Sequence, residues 1–427
     1  MFTRIAIVGA GACGLYLAKN LRGRVLPGAR IDLFERLPHP LGLLRYGVAP
    51  DSLSIRDNAR NLLDSIQERF FYNIRVGYDI GIEELLKYYH VCILACGSEV
   101  SKDFPIPGDD AKGVFDALDL VRWYNGHPEA TEDVKRYFEL LEAINRPINV
   151  SVIGNGNVSL DIARILLTPP EELESTDINK DYLKHRKGVK IQKVDILGRR
   201  GIIESSFSNA EVRKILDSRH FICYTDPENL DKLNQTERSV TRAIQRKIDL
   251  FKRSADNASK LRDTPNHRLL KFDFYRSVHS VISQLDRECN TRSILSSEPG
   301  SIDRPNRRYP ITQLVLDINK LNEQGIAYAS GQKLAIDCDM LIKCVGFDRT
   351  QEAKRLLPLV DNKRVFSCGW FATNGKGDLS NTLAATVALS RIIANTTFDF
   401  PVEEDIVDLF MSDPRYKHVR TGSDRRL

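Results

Sequence analysis

The sequence predicts an α/β fold with two Rossmann-like domains that each bind a dinucleotide. Two glycine-rich stretches carry this prediction, IAIVGAGACG near the start and SVIGNGNVS from residue 151. Each follows an apolar run that predicts a strand and precedes a run with helical periodicity, as in a strand-turn-helix nucleotide site. A chain of 427 residues has room for these two domains.

Composition excludes several classes of protein. Hydrophobic residues make up 42% of the chain, and no apolar run approaches the ~18 residues of a membrane-spanning helix. The first strand begins almost at residue 1, so we expect no secretory signal or transit peptide. The eight cysteines form no CxxC pair, which favours reduced core thiols over a redox centre or a metal site.

The first half of the chain follows a strand-helix-strand order. We predict a strand over residues 5–8, a helix through residue 21 and a second strand in IDLFER. Short apolar runs predict further strands over residues 74–76 and 90–95. A stretch rich in Pro and Gly then begins at residue 103 and reads as a crossover between domains.

A second strand-helix-strand order begins at residue 148. We predict a helix over residues 157–167, which Pro169 and Pro170 end, and a strand within VKIQKVDILGRRG. Residues 229–262 have helical propensity and are strongly basic. Strands are expected after residue 310, in CDMLIKCVGF and in RVFSCGW, followed by a helix over residues 379–393 and a polar, partly disordered tail from residue 413.

The first turn has the dinucleotide spacing Gly9-x-Gly11-x-x-Gly14. Gly9 allows the tight turn, Gly11 lets a pyrophosphate approach the backbone, and Gly14 permits close packing of helix on strand. Glu35 ends the next strand 21 residues after Gly14, where an acid accepts hydrogen bonds from a ribose. The helix N-terminus adds free N–H groups for phosphate.

The second turn reads Gly154-x-Gly156-x-x-Ser159, with a small residue at the third position. The strand that follows ends in Arg199 and Arg200 instead of an acid. Two guanidinium groups can bind a 2'-phosphate, so this turn predicts NADPH over NADH. The alternative is a solvated pair of surface arginines.

Two turns therefore predict two cofactors, and FAD on the first with NADP on the second is the usual division. No catalytic Cys, Ser-His-Asp or metal constellation is evident in the sequence. Hydride transfer from nicotinamide to flavin fits best, because that reaction needs alignment of two rings more than a protein nucleophile.

Several longer strings resemble the adrenodoxin reductase family, the mitochondrial-type ferredoxin-NADP reductases. They are FERLPHPLGLLRYGVAPD, NVSLDIARILLTPPEEL, STDI, LGRRG and SCGW, and the similarity runs from residue 3 to about residue 395. The resemblance implies a glutathione-reductase-like arrangement, with an NADP domain (109–333) inserted in an FAD domain (1–108 and 334–427). It also implies a mitochondrial location, or one in a related organelle, and the lack of a visible transit peptide leaves the cytoplasm as the alternative.

The implied activity is that of an NADPH:ferredoxin (adrenodoxin) oxidoreductase. NADPH passes a hydride to FAD, which then delivers single electrons to a 2Fe-2S ferredoxin for iron-sulfur assembly, haem or P-450 chemistry. The implied catalytic residues are Asp161, Glu211 and Trp370, and for Asp161 the sequence alone also allows a carboxylate on a helix surface. The residues expected to bind cofactor are Gly9, Gly11, Cys13, Gly14, Glu35, Leu43, Val76, Gly154, Asn155, Gly156, Asn157, Val158, Arg199, Arg200, Glu211, Trp370, Gly377, Asp378 and Leu379.

The chain departs from the family pattern at two places. Ser52 follows Pro50 and Asp51 where the family usually has histidine, so proton handling or nicotinamide placement is expected to differ. The stretch after SCGW keeps Gly377 but places Lys376 and Asp378 beside it, where the family has a glycine-proline pair.

A basic segment predicts the partner surface. Residues 232–276 carry 12 Lys or Arg against 5 Asp or Glu, an excess of 12 − 5 = +7. Arg238, Arg242 and Arg246 recur every four residues and so share one helix face. A solvated face and a nucleic-acid surface are the alternatives, but no nucleic-acid motif accompanies the segment. The resemblance favours docking of an acidic ferredoxin on a monomer.

Two other functions remain open from the sequence. One is an NADPH-dependent flavin monooxygenase, and the other is a non-catalytic scaffold that senses NADPH. A disulfide reductase, or the small subunit of a glutamate synthase, would need cysteine pairs or an N-terminal cysteine cluster, which this sequence lacks.

Overall fold

The computed structural model describes residues 2–231, 241–260, 267–284 and 309–422. The chain forms two compact units. The first unit comprises residues 1–102 and 346–427, and the second comprises residues 103–345. The sequence analysis placed the two boundaries at residues 108 and 333. The second of these positions falls inside a strand, because residues 327–337 pair with residues 311–321 and stay with the inserted unit.

The first unit is built on a six-stranded sheet in the order β16-β4-β1-β2-β3-β17. These strands and a separate two-stranded ladder of β5 and β15 have the bounds β1 Arg4–Val8, β2 Arg30–Phe34, β3 Arg69–Tyr72, β4 Val91–Leu94, β5 Val100–Ser101, β15 Phe347–Asp348, β16 Val365–Ser367 and β17 Arg420–Gly422. All neighbours in the larger sheet are parallel except β17, which runs antiparallel to β3.

Helices cover the sheet of the first unit. Their bounds are α1 Ala12–Asn20, α2 Leu43–Tyr46, α3 Leu53–Asp64, α4 Ile82–Tyr88, α13 Gln351–Leu356, α14 Gly369–Thr373, α15 Leu379–Ala394 and α16 Ile406–Ser412. Apolar side chains bury both faces of the strands, as a parallel sheet requires. The predictions of β4 and α15 are confirmed.

One sequence prediction in this unit is wrong. The strand predicted over residues 74–76 lies earlier in the chain, at β3, where Phe70 and Phe71 are buried on opposite faces of the sheet. The chain leaves the sheet at Asn73, which has a φ of 60°. Of the polar tail, residues 413–422 are described and contribute β17 to the sheet edge, whereas residues 423–427 lie outside the described residues. Tyr416 in that tail is buried against Phe410, which anchors it.

The second unit has a parallel six-stranded sheet in the order β6-β14-β7-β8-β10-β9 and an antiparallel sheet in the order β11-β12-β13. The strand bounds are β6 Val114–Asp116, β7 Ile148–Ile153, β8 Ile191–Gly198, β9 Phe221–Thr225, β10 Arg268–Phe274, β11 Arg276–Ser283, β12 Ile311–Leu321, β13 Ala327–Asp337 and β14 Met340–Lys343. The helix bounds are α5 Ala117–Tyr124, α6 Glu132–Ile144, α7 Asn157–Leu167, α8 Pro170–Leu173, α9 Lys180–Gly188, α10 Asn209–Leu216, α11 Glu228–Asp231 and α12 Arg242–Lys260.

The helix over residues 157–167 is confirmed as α7, and Thr168 beyond it adopts an extended conformation ahead of the two prolines. The sheet, α7 and the surrounding helices enclose one apolar core. The basic segment contains α12, whereas Arg238 lies outside the described residues. In the described ranges no helix combines the length and apolarity needed to cross a membrane.

Candidate functional site: two glycine turns

The first glycine turn joins β1 to α1, and protein contacts explain two of its three glycines. Gly9 has a φ of 106°, and a Cβ there would lie 2.6 Å from the carbonyl oxygen of Ala95. A Cβ on Gly14 would lie 1.9 Å from the Gly9 carbonyl oxygen, so α1 could not pack on β1. These two glycines are required by the fold itself.

The middle glycine is different. Gly11 has an extended backbone, and a Cβ built there would meet nothing closer than 4.0 Å. The fold therefore does not require glycine at this position, whereas a ligand pressed against the backbone would. α1 begins directly after Gly11 with no side-chain cap among the described residues, so N–H groups of its first turn are available to a phosphate.

Glu35 follows β2 beside this turn and is buried. Its Oε2 accepts a hydrogen bond from the backbone N–H of Ala10 (2.9 Å), and its Oε1 accepts one from Leu37 (3.0 Å). Burial, and then the charge of Glu99, raise the pKa of Glu35 to about 7 against the lowering effect of the two N–H donors. The carboxylate is thus fixed at the turn and still has lone pairs for a ribose hydroxyl.

A second loop covers the first turn. Leu41 has a φ of 85°, and its N–H donates to the carbonyl of Ala10 (2.8 Å), which brings Gly42 against Gly11. Leu43 begins α2 in this loop, and Cys13 in α1 lies beside Gly369. Val76 is also buried in the first unit, in the core cluster on the sheet.

The residues expected to contact the flavin ring meet around one tryptophan. The Trp370 indole Nε1 donates to the carbonyl of Gly377 (3.0 Å), and its ring stacks on Phe347 with a centroid distance of 5.4 Å. Asp378 caps α15 by accepting from the N–H of Asn381 (2.9 Å), and Leu379 begins that helix. The sequence-predicted residues 370 and 377–379 therefore form one local structure.

The second turn repeats the construction between β7 and α7. Gly154 has a φ of 125°, and a Cβ there would lie 2.2 Å from the carbonyl oxygen of Cys344. A Cβ on Gly156 would meet nothing within 4 Å, which matches the open position of Gly11. Ser159 occupies the third position, and its hydroxyl lies 2.6 Å from the carbonyls of both Gly154 and Gly156. This serine ties the turn together from inside.

The strand end expected to bind phosphate lies beside this turn. The N–H of Gly154 donates to the carbonyl of Leu197 (2.9 Å), and the Asn155 side chain lies over Gly198, where a Cβ would be 1.9 Å from Asn155 Nδ2. Arg199 and Arg200 therefore leave β8 next to the turn. The Arg199 side chain is exposed, and Arg200 reaches the carbonyl of Glu204 (3.4 Å).

A loop that the sequence analysis missed completes the second turn. The N–H of Ser206 donates to the carbonyl of Asn155 (2.7 Å), and the N–H of Ser208 donates to Asn157 Oδ1 (2.9 Å). Val158 meanwhile packs on the core of this unit. Loop residues that act through backbone groups have no spacing signal in a single sequence, so the sequence could not reveal residues 206–208.

The two carboxylates expected near the nicotinamide lie on neighbouring helices. Asp161 is in α7, and Glu211 is in the first turn of α10, where its N–H donates to the capping hydroxyl of Ser208 (3.2 Å). Arg164 lies between them, with Nη2 at 2.8 Å from Asp161 and Nη1 at 3.6 Å from Glu211. The sequence analysis did not identify Arg164, because its position in α7 reads as helix core.

Other sequence expectations can also be located. Arg242 and Arg246 lie on the first turns of α12 and are exposed. Among the described cysteines no disulfide occurs: Cys13, Cys92, Cys223, Cys338 and Cys368 are buried, whereas Cys289 lies outside the described residues. Across the described ranges no cluster of three or more His, Cys, Asp or Glu side chains could hold a metal ion.

Comparison with known proteins identifies the family. A family model for the NAD(P)-binding Rossmann-like domain matches residues 7–71. The mitochondrial NADPH:adrenodoxin oxidoreductase of Arabidopsis thaliana is 32% identical over 349 residues, which cover 80% of this chain and 67% of the relative. The Bos taurus enzyme of the same name is 32% identical over 411 residues, covering 91% of this chain and 78% of the relative.

The chain belongs to the NADPH:adrenodoxin oxidoreductase family. Its fold also matches the solved structure of Mycobacterium tuberculosis FprA in complex with NADPH, with a TM-score of 0.79, 26% identity and coverage of 100% of this chain and 93% of that one. These matches confirm the predicted family and the predicted two-domain α/β fold. At the level of the family, they also confirm an oxidoreductase that uses NADPH and FAD.

The matched length differs among members of the NADPH:adrenodoxin oxidoreductase family. The aligned part of this chain spans 62% of the Homo sapiens relative and 50% of the Schizosaccharomyces pombe relative. The chain thus spans about half to two thirds of the length of several curated relatives that it matches.

Proposed function

We propose that the chain is an FAD-containing NADPH:ferredoxin oxidoreductase. One observation carries the proposal: the two turns have the same open middle glycine, but one lies beside a buried acid and the other beside two arginines. An acid suits an unphosphorylated ribose, and a pair of arginines suits a 2'-phosphate. The protein therefore has the features for two different dinucleotides.

FAD fits the first unit. Gly11 and the uncapped N-terminus of α1 would face the pyrophosphate, with Cys13 and Gly14 in the first turns of that helix, and Glu35 would accept from the adenosine ribose. Bound FAD would supply a two-electron acceptor that can release electrons one at a time. The remaining residues proposed to hold FAD are Leu43, Val76, Trp370, Gly377, Asp378 and Leu379.

The Trp370 ring has the properties of a flavin contact. Its indole N–H is satisfied by the Gly377 carbonyl, and Phe347 stacks on the ring, so both its rotation and its polar atom are fixed. A ring held in this way would pack against a planar cofactor with little loss of side-chain freedom.

NADPH fits the second unit. The backbone of residues 154–158 and the N-terminus of α7 would bind the pyrophosphate, and Arg199 and Arg200 would bind the 2'-phosphate. We assign Glu211 and Asp161 to orienting the nicotinamide half of the nucleotide, because both carboxylates lie on helices that begin at this turn and the adjacent loop.

The partner in this proposal is an acidic 2Fe-2S ferredoxin. The exposed arginines at the start of α12 would attract it by opposite charge, and Arg238, which lies outside the described residues, adds positive charge to the same segment of the sequence. We further propose that the chain acts as a monomer and resides in mitochondria or a related organelle, since the names of curated relatives include that location.

The experiment is to purify the chain with FAD, add NADPH and a panel of 2Fe-2S ferredoxins, and follow ferredoxin-dependent reduction of cytochrome c. We expect cytochrome c reduction that requires both NADPH and ferredoxin. Oxygen consumption coupled to hydroxylation of a small substrate would contradict the proposal, and so would a chain that binds NADPH without reducing any acceptor.

The docking surface can be tested with a charge reversal. Arg242→Glu should slow ferredoxin reduction about tenfold at low salt, because electrostatic steering raises association rates, and should leave NADPH oxidation by ferricyanide unchanged. Lys363→Glu makes the same change of charge at an exposed residue of the first unit and serves as the matched control. Equal slowing by both variants, or none by Arg242→Glu, would move the docking site elsewhere.

A further inference from the structure

A buried arginine connects the two carboxylates of the second unit. The Arg164 side chain is 6% exposed, and its two terminal nitrogens point at different partners: Nη2 at Asp161 Oδ1 (2.8 Å) and Nη1 at Glu211 Oε2 (3.6 Å). Asp161 lies one turn earlier in the same helix, and Glu211 belongs to α10. One planar group therefore spans two helices.

The same two helices are also linked at the nucleotide turn. Asn157 at the start of α7 accepts from the N–H of Ser208, the capping residue of α10. Arg164 lies two turns further along α7 and forms the second link between these helices. The hydrogen bond and the ion pair both join the start of α10 to α7, and Glu211 lies in that first turn of α10.

The buried arginine has two carboxylate partners. A guanidinium removed from water needs opposite charge nearby, and here one positive charge faces two negative ones. Beneath them lies Tyr124, fully buried, whose pKa is raised by burial and then by the charge of Asp161 and lowered by that of Arg164. Among the described residues, the buried Glu211 Oε2 receives no hydrogen bond, so the Arg164 guanidinium is its charge partner.

We propose that Arg164 is a positioning residue for NADPH: it holds Glu211 and Asp161 in the orientation in which they meet the nucleotide. This inference rests on the proposed function of the second unit. Arginine suits the role because its rigid fork can address two carboxylates in different directions, whereas the single ammonium of lysine cannot keep both in place.

The structure offers a matched control at the other end of the same helix. The Arg268 guanidinium donates to the carbonyl of Leu167, the last residue of α7 (2.7 Å), and so stabilises the helix without contacting either carboxylate. Arg268→Gln should lower thermal stability. It should leave the NADPH dissociation constant unchanged.

The test is a double-mutant cycle on NADPH binding and on kcat/KM for flavin reduction, using the FAD-loaded full chain. Arg164→Gln and Glu211→Gln should each lower kcat/KM by roughly 10- to 100-fold, because misplacing a group by about 1 Å costs that much. If Arg164 acts partly through Glu211, the double variant should lose clearly less than the product of the two single losses, and the part that Glu211→Gln does not account for is the effect on Asp161. The pair Arg268→Gln and Glu211→Gln should be additive.

Arg164→Lys gives a second measurement and keeps the buried charge if Arg164→Gln fails to fold. It should recover part of the NADPH affinity, and its cycle with Glu211→Gln should again be non-additive. Additive effects in both Arg164 cycles would overturn the inference while leaving the proposed function intact. A parent chain that neither binds NADPH nor reduces its flavin with it would overturn both.

Discussion

The turn at residues 9–14 and the turn at residues 154–159 share one backbone design and differ in what surrounds it. In both, the first glycine has a positive φ and lies against a backbone carbonyl of a neighbouring segment, and a Cβ on the middle glycine would meet no atom closer than 4.0 Å. The third position differs: Gly14 admits no side chain, whereas Ser159 uses its hydroxyl to bind the turn. The two turns thus share a backbone shape although their sequences differ at the third position.

The next strand carries the chemical difference between the two turns. β2 leads to a buried glutamate bonded to the first turn, and β8 leads to two arginines beside the second. In the proposed function, selectivity between the two nucleotides comes from these side chains, because the two turns present a similar backbone. Substitutions at the first and third positions of a turn should therefore damage the fold, whereas substitutions at the residues after β2 or β8 should change which nucleotide binds.

The largest effect is expected at the third position. Gly14→Ala would place a Cβ 1.9 Å from the Gly9 carbonyl oxygen and should destabilise the first unit by about 3 kcal/mol or more. Ser159→Ala removes only a buried hydroxyl and should cost about 1 kcal/mol. Denaturant unfolding of both variants measures the difference, and equal costs would show that the two turns pack alike.

The second prediction concerns nucleotide choice. We expect the parent chain to prefer NADPH over NADH by roughly 100-fold or more, since a hydrogen bond to a charged group contributes about 1.5 to 3 kcal/mol. The double variant Arg199→Gln with Arg200→Gln should lose this preference. The KM for NADH should change little. Lys190→Gln, at an exposed position before β8, is the control. A variant that still prefers NADPH as strongly as the parent would remove these arginines from the site.

The third prediction uses the buried acid. Burial raises the pKa of Glu35 to about 7, above its value of 4.5 when exposed, so the folded apoprotein binds a proton that the unfolded chain has released. Its favourable contribution to stability is fully present below pH 4.5 and is lost as the pH rises through 7.

Glu35→Gln should therefore become more stable relative to the parent between pH 5 and 8, by up to about 3 kcal/mol. Guanidinium unfolding of the two FAD-free proteins across this pH range provides the measurement, and Glu83→Gln, at an exposed residue of α4, is the control. If the free energies of unfolding of Glu35→Gln and the parent changed in parallel with pH, the raised pKa of the buried Glu35 carboxyl would be contradicted.

The smallest effects are expected at the open glycines. Gly11→Ala and Gly156→Ala meet no protein atom within the distance of a clash, so neither should lower the free energy of unfolding. Each should weaken only its own nucleotide, FAD or NADPH, by roughly tenfold, because a methyl group intrudes where the pyrophosphate approaches. Titration of each nucleotide against both variants tests this. A loss of folding in either variant would contradict the conclusion that the fold itself does not require glycine at these two positions.

Local patterns predicted the parts of the fold that local interactions determine. The helix over residues 157–167 was predicted with its observed bounds because a glycine turn starts it and two prolines follow it. β3 was misplaced because its pairing with β2 depends on long-range contacts, which a four-residue strand does not encode by itself. The pairing of β17 with β3 was missed for the same reason.

The candidate site was predictable to a similar extent. Glycines and the residues that end a strand have fixed spacings, so the turns, Glu35 and the two arginines could be found from the sequence. Arg164 could not, because its partner Glu211 is 47 residues away and only packing of α10 on α7 brings them together. The loop at residues 206–208 is likewise visible only in three dimensions.

The central claim is that one chain holds two different dinucleotides in two turns of the same design. The most direct measurement is to saturate the purified chain with FAD and compare bleaching of its absorbance near 450 nm by NADPH and by NADH. The account predicts one tightly held flavin per chain, reduced at NADPH concentrations at least tenfold below those of NADH. A chain that stays colourless, or a flavin reduced equally well by either nucleotide, would contradict it.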